Sequence, residues 1–314
     1  QVHDVEVGIT RHGKLLALRD RIVFDTGAYV PKGLVVPVLS VTNVPGPYRL
    51  PAYAGEITVA YSNRVPVGPV RGAGRPQSTA VMETIMNRIA REVGRDPVEV
   101  RRDNILQPEE FPRDLGMNNE NSDPIRYDSG NLPGLLEKIE AEIGYLQFRE
   151  EQSRLRRQGV YRGLGVSLCV EATGQGPYEG ARICLDDAGK ATMYTGAASQ
   201  GQGSHTTLAQ VCAAELGMSI DDVTVIAGDT SMISKGAGAY ASRIATAAAT
   251  AAKMSCDRLI DRLTDLAADH LEARRQDIEF ARGRFQVHGS PQRGVNMPDL
   301  LRAHGGIEET AYYE

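Results

Sequence analysis

The chain has 314 residues, which at about 150 residues per domain predicts roughly two domains. Its 35 Lys and Arg against 40 Asp and Glu give a net charge of −5, so no basic excess favours nucleic acid or an anionic membrane. The longest apolar run is broken by Pro37, and we expect neither a membrane span nor a secretory signal.

The first half of the sequence predicts a hairpin, a proline-rich segment and an amphipathic helix. Alternating apolar residues on both sides of a turn at His12 and Gly13 predict two paired strands over 5–9 and 15–24. Seven prolines within 31–70 favour short strands or loops over helix. Apolar residues at every fourth position predict a helix over about 77–94 that ends at a glycine.

The middle of the sequence predicts a loop and then a charged helix. Residues 107–133 are polar and rich in Pro, Asn and Asp, which is typical of a loop. A helix is predicted over about 134–158, and we place the domain boundary in or just after it.

The second half predicts alternating strands and helices. In chain order these are a strand over 163–170, a hairpin over 181–194, a helix over 205–217, a strand over 223–226, an alanine-rich helix over 243–273, a hairpin over 278–287 and a short helix over 297–303. Because both halves mix hairpins with helices, the predicted fold class is α+β, with two mixed sheet-and-helix domains.

Cysteine and histidine spacing indicates no metal site formed by the protein. The four cysteines contain no C-x-x-C pair, and the six histidines show neither H-x-x-x-H nor H-E-x-x-H spacing. We therefore expect mostly buried free thiols in a reducing, cytoplasmic compartment.

Three glycine-rich segments each lead directly into a predicted helix, over 71–76, 200–204 and 235–242. Glycine lets a backbone approach a ligand closely, and a helix start offers unpaired N–H groups and partial positive charge. If the amides of these turns are free, the three segments can bind a phosphate or pyrophosphate. Any one of them alone also fits a simple tight turn. None matches a P-loop or a G-x-G-x-x-G turn, so an ordinary ATPase or Rossmann dehydrogenase is not indicated.

The same segments resemble a known family. The motifs, in chain order, are DTGAY at 25–29, GPY at 46–48, RGAGRPQ at 71–77, DPVEVRRDN at 96–104, TGAASQGQGSHTTLAQ at 195–210, AELG at 214–217 and GDT at 228–230. Together they resemble the molybdopterin-binding subunit of the xanthine dehydrogenase, aldehyde oxidase and aerobic carbon monoxide dehydrogenase family, the molybdenum hydroxylases. Each motif alone is weak, whereas the ordered set covers nearly the whole chain.

The resemblance implies four groups of cofactor-binding residues. They are a pterin-contacting turn (Gln200, Gly201, Gln202 and Gly203), a segment beside the phosphates (Asp229, Thr230 and Ser231), a loop that holds the cytosine nucleotide end (Tyr240, Ala241, Ser242 and Arg243) and a loop that faces the molybdenum and substrate (Arg71, Gly72, Ala73 and Gly74). The loop 174–177 is a further candidate near the substrate channel. A cation at a helix start opposes the helix dipole, so Arg243 also indicates a bound anionic partner.

The resemblance further implies a molybdopterin cytosine dinucleotide cofactor with molybdenum, and oxidative hydroxylation of an N-heterocycle or aldehyde with water as the oxygen source. Partner subunits would carry iron–sulfur clusters and FAD, in a dimer of heterotrimers without nucleic acid. Carbon monoxide oxidisers have a cysteine where this chain has Gly72, which argues against that substrate. Many purine and aldehyde oxidisers have phenylalanine where this chain has Ala73, which predicts a roomier pocket or one closed by another residue.

Two motifs of the family are missing from this sequence. The first glycine-phenylalanine-glycine motif is expected before residue 1, and the glutamate general base is expected beyond residue 314. We therefore interpret 1–150 and 151–314 as two incomplete cofactor-binding domains of a larger subunit, with no catalytic residue in this chain and no activity as an isolated fragment. The alternatives are a non-catalytic assembly piece that holds no cofactor, and an unrelated enzyme of a phosphate-bearing ligand.

Overall fold

The computed structural model describes residues 1–30, 34–119 and 122–314, which form two compact units, Gln1–Glu171 and Ala172–Glu314. Two units match the number of domains expected from length. The division lies after Glu171, whereas the sequence analysis placed it after residue 150. The difference arises because Leu164, Val166 and Leu168 pack against the core of the first unit.

The first unit combines a three-stranded sheet, a two-stranded sheet and five helices among its described residues. In chain order these are β1 (Val2–Ile9), β2 (Leu15–Asp25), α1 (Val35–Asn43), β3 (Ala52–Ala60), α2 (Arg75–Glu92), α3 (Pro97–Asn104), β4 (Arg113–Asn118), β5 (Pro124–Tyr127), α4 (Leu132–Glu142) and α5 (Tyr145–Arg156). The predicted hairpin is confirmed as the antiparallel pair β1–β2, and β3 pairs parallel to β2. The predicted amphipathic helix is α2, which buries Met82, Met86 and Ile89.

The prediction that the proline-rich segment 31–70 contains no helix is wrong, because α1 lies within it. Pro37 is the third residue of α1, where a backbone N–H has no partner inside the helix. The proline therefore removes no helical hydrogen bond. Residues 31–33 of this segment lie outside the described residues.

Three further predictions for the first unit need correction. The loop expected over 107–133 contains the antiparallel pair β4–β5, with residues 120–121 outside the described part. The helix expected over 134–158 is two helices, because Gly144 has a φ of 59° between α4 and α5. The strand expected over 163–170 does not form: its apolar side chains face the core, but its backbone joins no sheet.

The second unit follows the predicted order closely. Its elements are β6 (Glu179–Leu185), β7 (Ala191–Thr195), α6 (Ser204–Leu216), β8 (Val223–Ala227), α7 (Ala249–His270), β9 (Ile278–Ala281), β10 (Arg284–Val287), β11 (Ser290–Asn296), α8 (Met297–His304) and β12 (Ile307–Tyr313). A π-helical turn, Ile244–Ala248, precedes α7. Strand β11, which extends the predicted β9–β10 hairpin to three strands, was not predicted. The α+β fold class is confirmed in both units.

The four-stranded sheet of the second unit has the order β12-β6-β7-β8. Strands β12, β6 and β7 pair antiparallel, whereas β7 and β8 pair in parallel and are connected through α6. Helices α6 and α7 contribute Leu208, Cys212, Cys256 and Leu259 to a core that also contains Met193 of β7. All five side chains are fully buried. No described helix is long and apolar enough to cross a membrane.

A buried charged cluster joins α2, α3 and the segment before β3. Arg101 is fully buried, and its Nε donates to Oε2 of Glu83 at 2.8 Å. The Tyr48 hydroxyl donates to the other oxygen of Glu83 at 2.6 Å. Burial, together with the Glu83 charge, raises the pKa of Tyr48 far above its usual value. Because neither charge of the ion pair is well solvated, each depends on the other.

Arg101→Met is expected to lower the free energy of unfolding by about 3–5 kcal/mol, because it leaves the Glu83 carboxylate buried without its cation. Urea unfolding followed by circular dichroism measures the change. The control is Arg21→Met, since Arg21 is only partly buried and pairs with the exposed Asp4 and Glu6. This control is expected to cost less than about 1 kcal/mol. Equal losses in the two variants would contradict the interpretation of the cluster.

Candidate functional site

The loop of Arg71, Gly72, Ala73 and Gly74 lies in the first unit, immediately before α2. Its three last residues have positive φ angles of 100°, 46° and 100°. Two backbone hydrogen bonds close it: Ala73 N donates to Val70 O at 2.7 Å, and Arg75 N donates to Gly72 O at 3.0 Å. The chain therefore turns tightly before the helix starts.

Helix α1 fixes this loop in place. A Cβ atom on Gly74 would lie 2.3 Å from Val36 O and 2.8 Å from Ser40 N, so only glycine fits. The Ser40 hydroxyl lies 3.2 Å from Gly74 O as a hydrogen-bond donor. The helix missed in the sequence analysis is thus the support of a predicted site loop.

A cavity of about 380 Å³ opens beside this loop within the first unit. Its lining includes Asp25, Arg71, Ala73, Gly74, Pro76 and Gln77. The Ser62 hydroxyl and the Gly27 N–H donate to Asp25, which lowers the pKa of its carboxyl group. Asp25 therefore brings a negative charge to the cavity at neutral pH. The sequence analysis quoted this residue only within the DTGAY motif and did not assign it to the site.

In the second unit, the loop of Gln200, Gly201, Gln202 and Gly203 lies immediately before α6 and is exposed. The φ angles of its glycines are 94° and 82°, and a Cβ on either would meet no atom within 4 Å. Oε1 of Gln202 accepts a hydrogen bond from Gln200 N at 2.6 Å and so shapes the turn. The backbone at both glycines is open to a close approach by a ligand.

Helix α6 begins with a buried polar group that lacks a partner. Ser204 is its first residue and is 3% exposed, and its hydroxyl has no hydrogen-bond partner in the described part of the chain. The amides of a first helical turn also have no partner inside the helix. Ser204 directly follows the predicted pterin-contacting turn. It belongs to the glycine-rich segment 200–204 but was not among the predicted cofactor-binding residues.

The segment Asp229, Thr230 and Ser231 forms an exposed turn after β8. Oδ1 of Asp229 accepts from the Ser231 hydroxyl at 2.6 Å and from Ser231 N at 2.9 Å. These bonds lower the pKa of the Asp229 carboxyl, with the hydroxyl as the larger cause. The carboxylate organises the turn, and its negative charge opposes a phosphate directly beside it.

The loop of Tyr240, Ala241, Ser242 and Arg243 precedes the π-helical turn. Tyr240 is 49% exposed, whereas Arg243 is fully buried. The guanidinium forms an ion pair with Glu179 at 2.9 Å. The anion that Arg243 was expected to need is therefore a carboxylate of this chain. The argument that a bound ligand must supply it is wrong.

The expectation that the turn amides are all free is also wrong at several positions. Gln200 N donates to the Gln202 side chain, and Gly201 N donates to the Ser199 hydroxyl. Ala237 N and Gly238 N donate to Glu179. The binding groups that remain are the first turn of α6, the open glycine backbone and the side chains of the loops.

The structure brings the three predicted loops of the second unit together. Strands β7 and β8 are parallel, so their carboxyl ends, at Thr195 and Ala227, lie at the same edge of the sheet. The loop before α6 follows β7, and the turn at 229–231 follows β8. A Cβ on Gly196 would lie 2.5 Å from the Cα of Gly236, so the segments that lead into the first and the third loop are in contact. The predicted loop 71–74 belongs to the other unit.

Among residues 1–30, 34–119 and 122–314, no group of three His, Cys, Asp or Glu side chains is arranged to hold a metal ion. Fold and site together define a protein that offers open glycine loops and a helix start along one sheet edge. Open space at Gly201 and Gly203 and the orphaned Ser204 hydroxyl fit a ligand that is anionic and comes close to the backbone.

Comparison with known families identifies the family of this chain. Models of the molybdopterin cofactor-binding domain match residues 1–105 and 138–314. The second match alone covers more than half of the chain. The chain therefore belongs to the molybdopterin cofactor-binding family, and the resemblance to molybdenum hydroxylases is confirmed.

Individual relatives agree with this assignment. The chain is 32% identical over 303 residues to the 6-hydroxypseudooxynicotine dehydrogenase complex subunit gamma of Paenarthrobacter nicotinovorans, covering 96% of this chain and 38% of that protein. It is 29% identical to the carbon monoxide dehydrogenase large chain of Afipia carboxidovorans, over 98% of this chain and 41% of that one. The chain thus spans about two-fifths of these relatives.

Solved structures show the same fold. Quinoline 2-oxidoreductase from Pseudomonas putida 86 superposes with a TM-score of 0.85 at 31% identity, covering 99% of this chain and 42% of that one. The aldehyde oxidoreductase from Desulfovibrio gigas has a TM-score of 0.67 at 19% identity, which shows the fold alone.

Gly74→Ala is expected to destabilise the protein by about 1–3 kcal/mol more than Gly94→Ala, because only the Gly74 Cβ would collide with backbone atoms. Both glycines flank α2 and have positive φ, and a Cβ on Gly94 would meet nothing within 4 Å. The control therefore carries only the conformational cost of about 1–2 kcal/mol. Chemical unfolding of both variants measures the difference. Equal stabilities would refute the role given to α1 as the support of the loop.

Proposed function

We propose that this chain is the cofactor-binding portion of a molybdenum hydroxylase large subunit. The complete enzyme hydroxylates an N-heterocycle or an aldehyde, with water as the oxygen source. The cofactor is molybdopterin cytosine dinucleotide, which when bound supplies the two-electron oxidative hydroxylation. The catalytic general base comes from the rest of the subunit.

The observation that carries this proposal is the gathering of three loops at one edge of the second unit's sheet. The parallel pair β7–β8 places two of them side by side, and one leads directly into α6. A helix start with unpaired amides attracts a phosphate or another anionic group. A long cofactor with a pyrophosphate at its centre matches a site built from several adjacent loops rather than from one.

Each loop has a defined part in binding. The side-chain amides of Gln200 and Gln202 are exposed and can donate to a pterin, while Ser204 adds a hydroxyl at the helix start. Tyr240 and Ser242, which are also exposed, face the nucleotide end. Asp229 shapes its turn by accepting from both donors of Ser231, so Thr230 is the nearer candidate for the phosphates. Arg243 supports its loop from inside and does not touch the cofactor.

The cavity beside Arg71 to Gly74 forms one wall of the substrate site in this proposal. Ala73 leaves it wide, and both Asp25 and Arg71 line it, so the cavity offers groups of both charges to a substrate. The relatives named for nicotine and quinoline act on N-heterocycles, which supports that class. Gly72, in place of the cysteine of carbon monoxide oxidisers, disfavours carbon monoxide.

Names of the relatives support a multi-subunit enzyme, since they are called a gamma subunit, a large subunit and a large chain. We assign the iron–sulfur clusters and the FAD to partner subunits, in a dimer of heterotrimers. Electrons would leave the site through those partners. This chain's own residues bind and orient the cofactor.

Metal and nucleotide analysis of the native complex tests the proposal. Acid release is expected to give molybdenum and CMP in equal amounts, about one of each per large subunit. Molybdenum without CMP would reject the dinucleotide form. A complex that contains neither molybdenum nor CMP would support a non-catalytic assembly piece. Bound ATP or NAD would support an unrelated enzyme that binds a phosphate-bearing ligand. The isolated chain is expected to show no turnover.

Gly201→Ala is expected to lower cofactor content without greatly lowering stability. Its φ is 94° and the space around it is open, so the variant pays only the conformational cost of about 1–2 kcal/mol. The new methyl group occupies space through which a ligand would approach the backbone. The matched control is Gly289→Ala, with a φ of 73° and equally open surroundings in a hairpin of the same unit.

The measurement is the molybdenum and CMP content per subunit of both variants, together with their melting temperatures. It shows whether the loop that contains Gly201 binds the cofactor. The two variants are expected to lose similar stability, while Gly201→Ala alone loses cofactor. Full cofactor content in Gly201→Ala would remove this loop from the binding site.

A further inference from the structure

Glu179 is a fully buried carboxylate at the start of β6, and nothing in the sequence analysis assigned it a role. It lies at the sheet edge where the candidate loops of the second unit gather. In the sheet, Glu179 pairs with Tyr313 of the neighbouring strand β12. A charge in such a place is expensive unless donors surround it.

The donors come mainly from the loop that follows Lys235. Oε2 of Glu179 accepts from Gly238 N at 3.0 Å, from Ala237 N at 3.2 Å and from Nη1 of Arg243 at 2.9 Å. Oε1 accepts from Gly180 N at 3.1 Å. One carboxylate thus holds both ends of the segment 237–243.

Arg243 extends this hold to a second loop. Its Nε donates to Gln175 O at 3.0 Å, and its Nη2 donates to Tyr178 O. Nη1 also donates to Gly238 O at 2.9 Å. The ion pair therefore connects the loop 174–177, predicted as a candidate near the substrate channel, and the adjoining Tyr178 to the loop 236–243.

Two glycines make room for the carboxylate. A Cβ on Gly236 would lie 2.7 Å from Oε1, and a Cβ on Gly196 would lie 2.9 Å from it. These glycines differ from Gly201 and Gly203, which face open space. They serve close packing around Glu179, and Gly196 brings the start of the Gln200 loop into the same cluster.

The outer part of the held segment is in a strained conformation. Ala241 and Ser242 have consecutive positive φ angles of 48° and 52°, which side-chain-bearing residues adopt at a cost of about 1–3 kcal/mol each. Such strain persists only where surrounding contacts impose it. Those contacts are made by Glu179 and Arg243, which flank the strained residues on the inside while Tyr240 and Ser242 remain exposed.

We propose that Glu179 is a positioning residue for the nucleotide end of the cofactor, an inference that rests on the proposed function. Its carboxylate acts as an internal anion that draws the segment 237–243 inward and presents Tyr240, Ala241 and Ser242 to the ligand. Because Arg243 neutralises it, Glu179 adds no net charge that would repel a phosphate. It touches neither substrate nor cofactor.

Glu179→Gln in the full holoenzyme tests this assignment. The Gln side chain keeps the shape but replaces one oxygen with an NH₂ group, which has no acceptor among the amides and guanidinium around it. The affinity for the cofactor is expected to fall about 10- to 100-fold, as when the outer partner of a ligating group is removed. Hydrogen exchange at the amides of Ala237 and Gly238 is expected to accelerate.

Turnover per bound molybdenum is expected to stay at the wild-type value, because Glu179 does not contact the reacting groups. A direct catalytic role would lower that ratio and overturn the assignment. So would a variant that exchanges the loop amides faster yet retains all its molybdenum and CMP.

The control is Glu308→Gln. Glu308 is exposed on the same sheet and pairs with Arg182 at 2.6 Å, so its loss is expected to change neither cofactor content nor exchange in the loop. If Glu308→Gln loses as much cofactor as Glu179→Gln, the effect is not specific to the buried pair and the proposal fails.

The double variant Glu179→Leu with Arg243→Met removes the pair without leaving one buried charge alone. Its melting temperature is expected to fall, because the amides of Ala237 and Gly238 and the carbonyls of Gln175 and Tyr178 lose their partners. We expect the same loss of cofactor as in Glu179→Gln. Full cofactor content in this double variant would overturn the proposal. This test remains available if Glu179→Gln does not fold.

Failure of the role assigned to Glu179 can be distinguished from failure of the proposed function. A wild-type complex without molybdenum and CMP refutes the function itself. A wild-type complex that holds both, and a Glu179→Gln complex that holds equal amounts, refutes only the role of Glu179.

Discussion

Parallel pairing of β7 with β8 is the constraint on which the candidate site depends. In a parallel pair the carboxyl ends of both strands lie at the same edge, so the chain must leave the sheet twice at one place. The crossover through α6 then begins at that edge, with its unpaired amides beside both loops. An antiparallel pairing would put the turn at 229–231 at the opposite edge from Gln200. The location of the site is therefore a consequence of sheet topology.

The glycines of the loops fall into two physical groups that the sequence does not distinguish. Gly74 and Gly236 are required because a Cβ would collide with backbone or with a buried carboxylate. Gly201 and Gly203 have positive φ but open surroundings. The first group builds the loops, and the second leaves their backbone accessible. Openness alone does not mark a ligand site, since Gly94 and Gly289 are equally open. Gly201 and Gly203 are distinguished by their place directly before the start of α6.

Local patterns predicted most elements, and contacts between distant segments account for the failures. Helix α2, the β6–β7 hairpin and α6 follow from periodicity and glycine positions within a few residues. Helix α1 was missed because proline is costly in a helix except in its first turn, and the sequence does not mark where that turn begins. Glu179 was missed because its partners are far along the chain. A single acidic residue beside a glycine gives no sign of burial.

Arg243 shows how a correct electrostatic argument leads to the wrong partner. A cation at a helix start does need an anion nearby, and the structure provides one in Glu179. A buried ion pair of this kind adds little net stability, since desolvation offsets the attraction between its charges. Its lasting consequence is geometric, because several carbonyl and amide groups of two loops are fixed by one pair of side chains. The predicted nucleotide loop therefore owes its shape to an interaction inside the protein, because Glu179 and Arg243 fix both ends of the segment that contains Ala241 and Ser242.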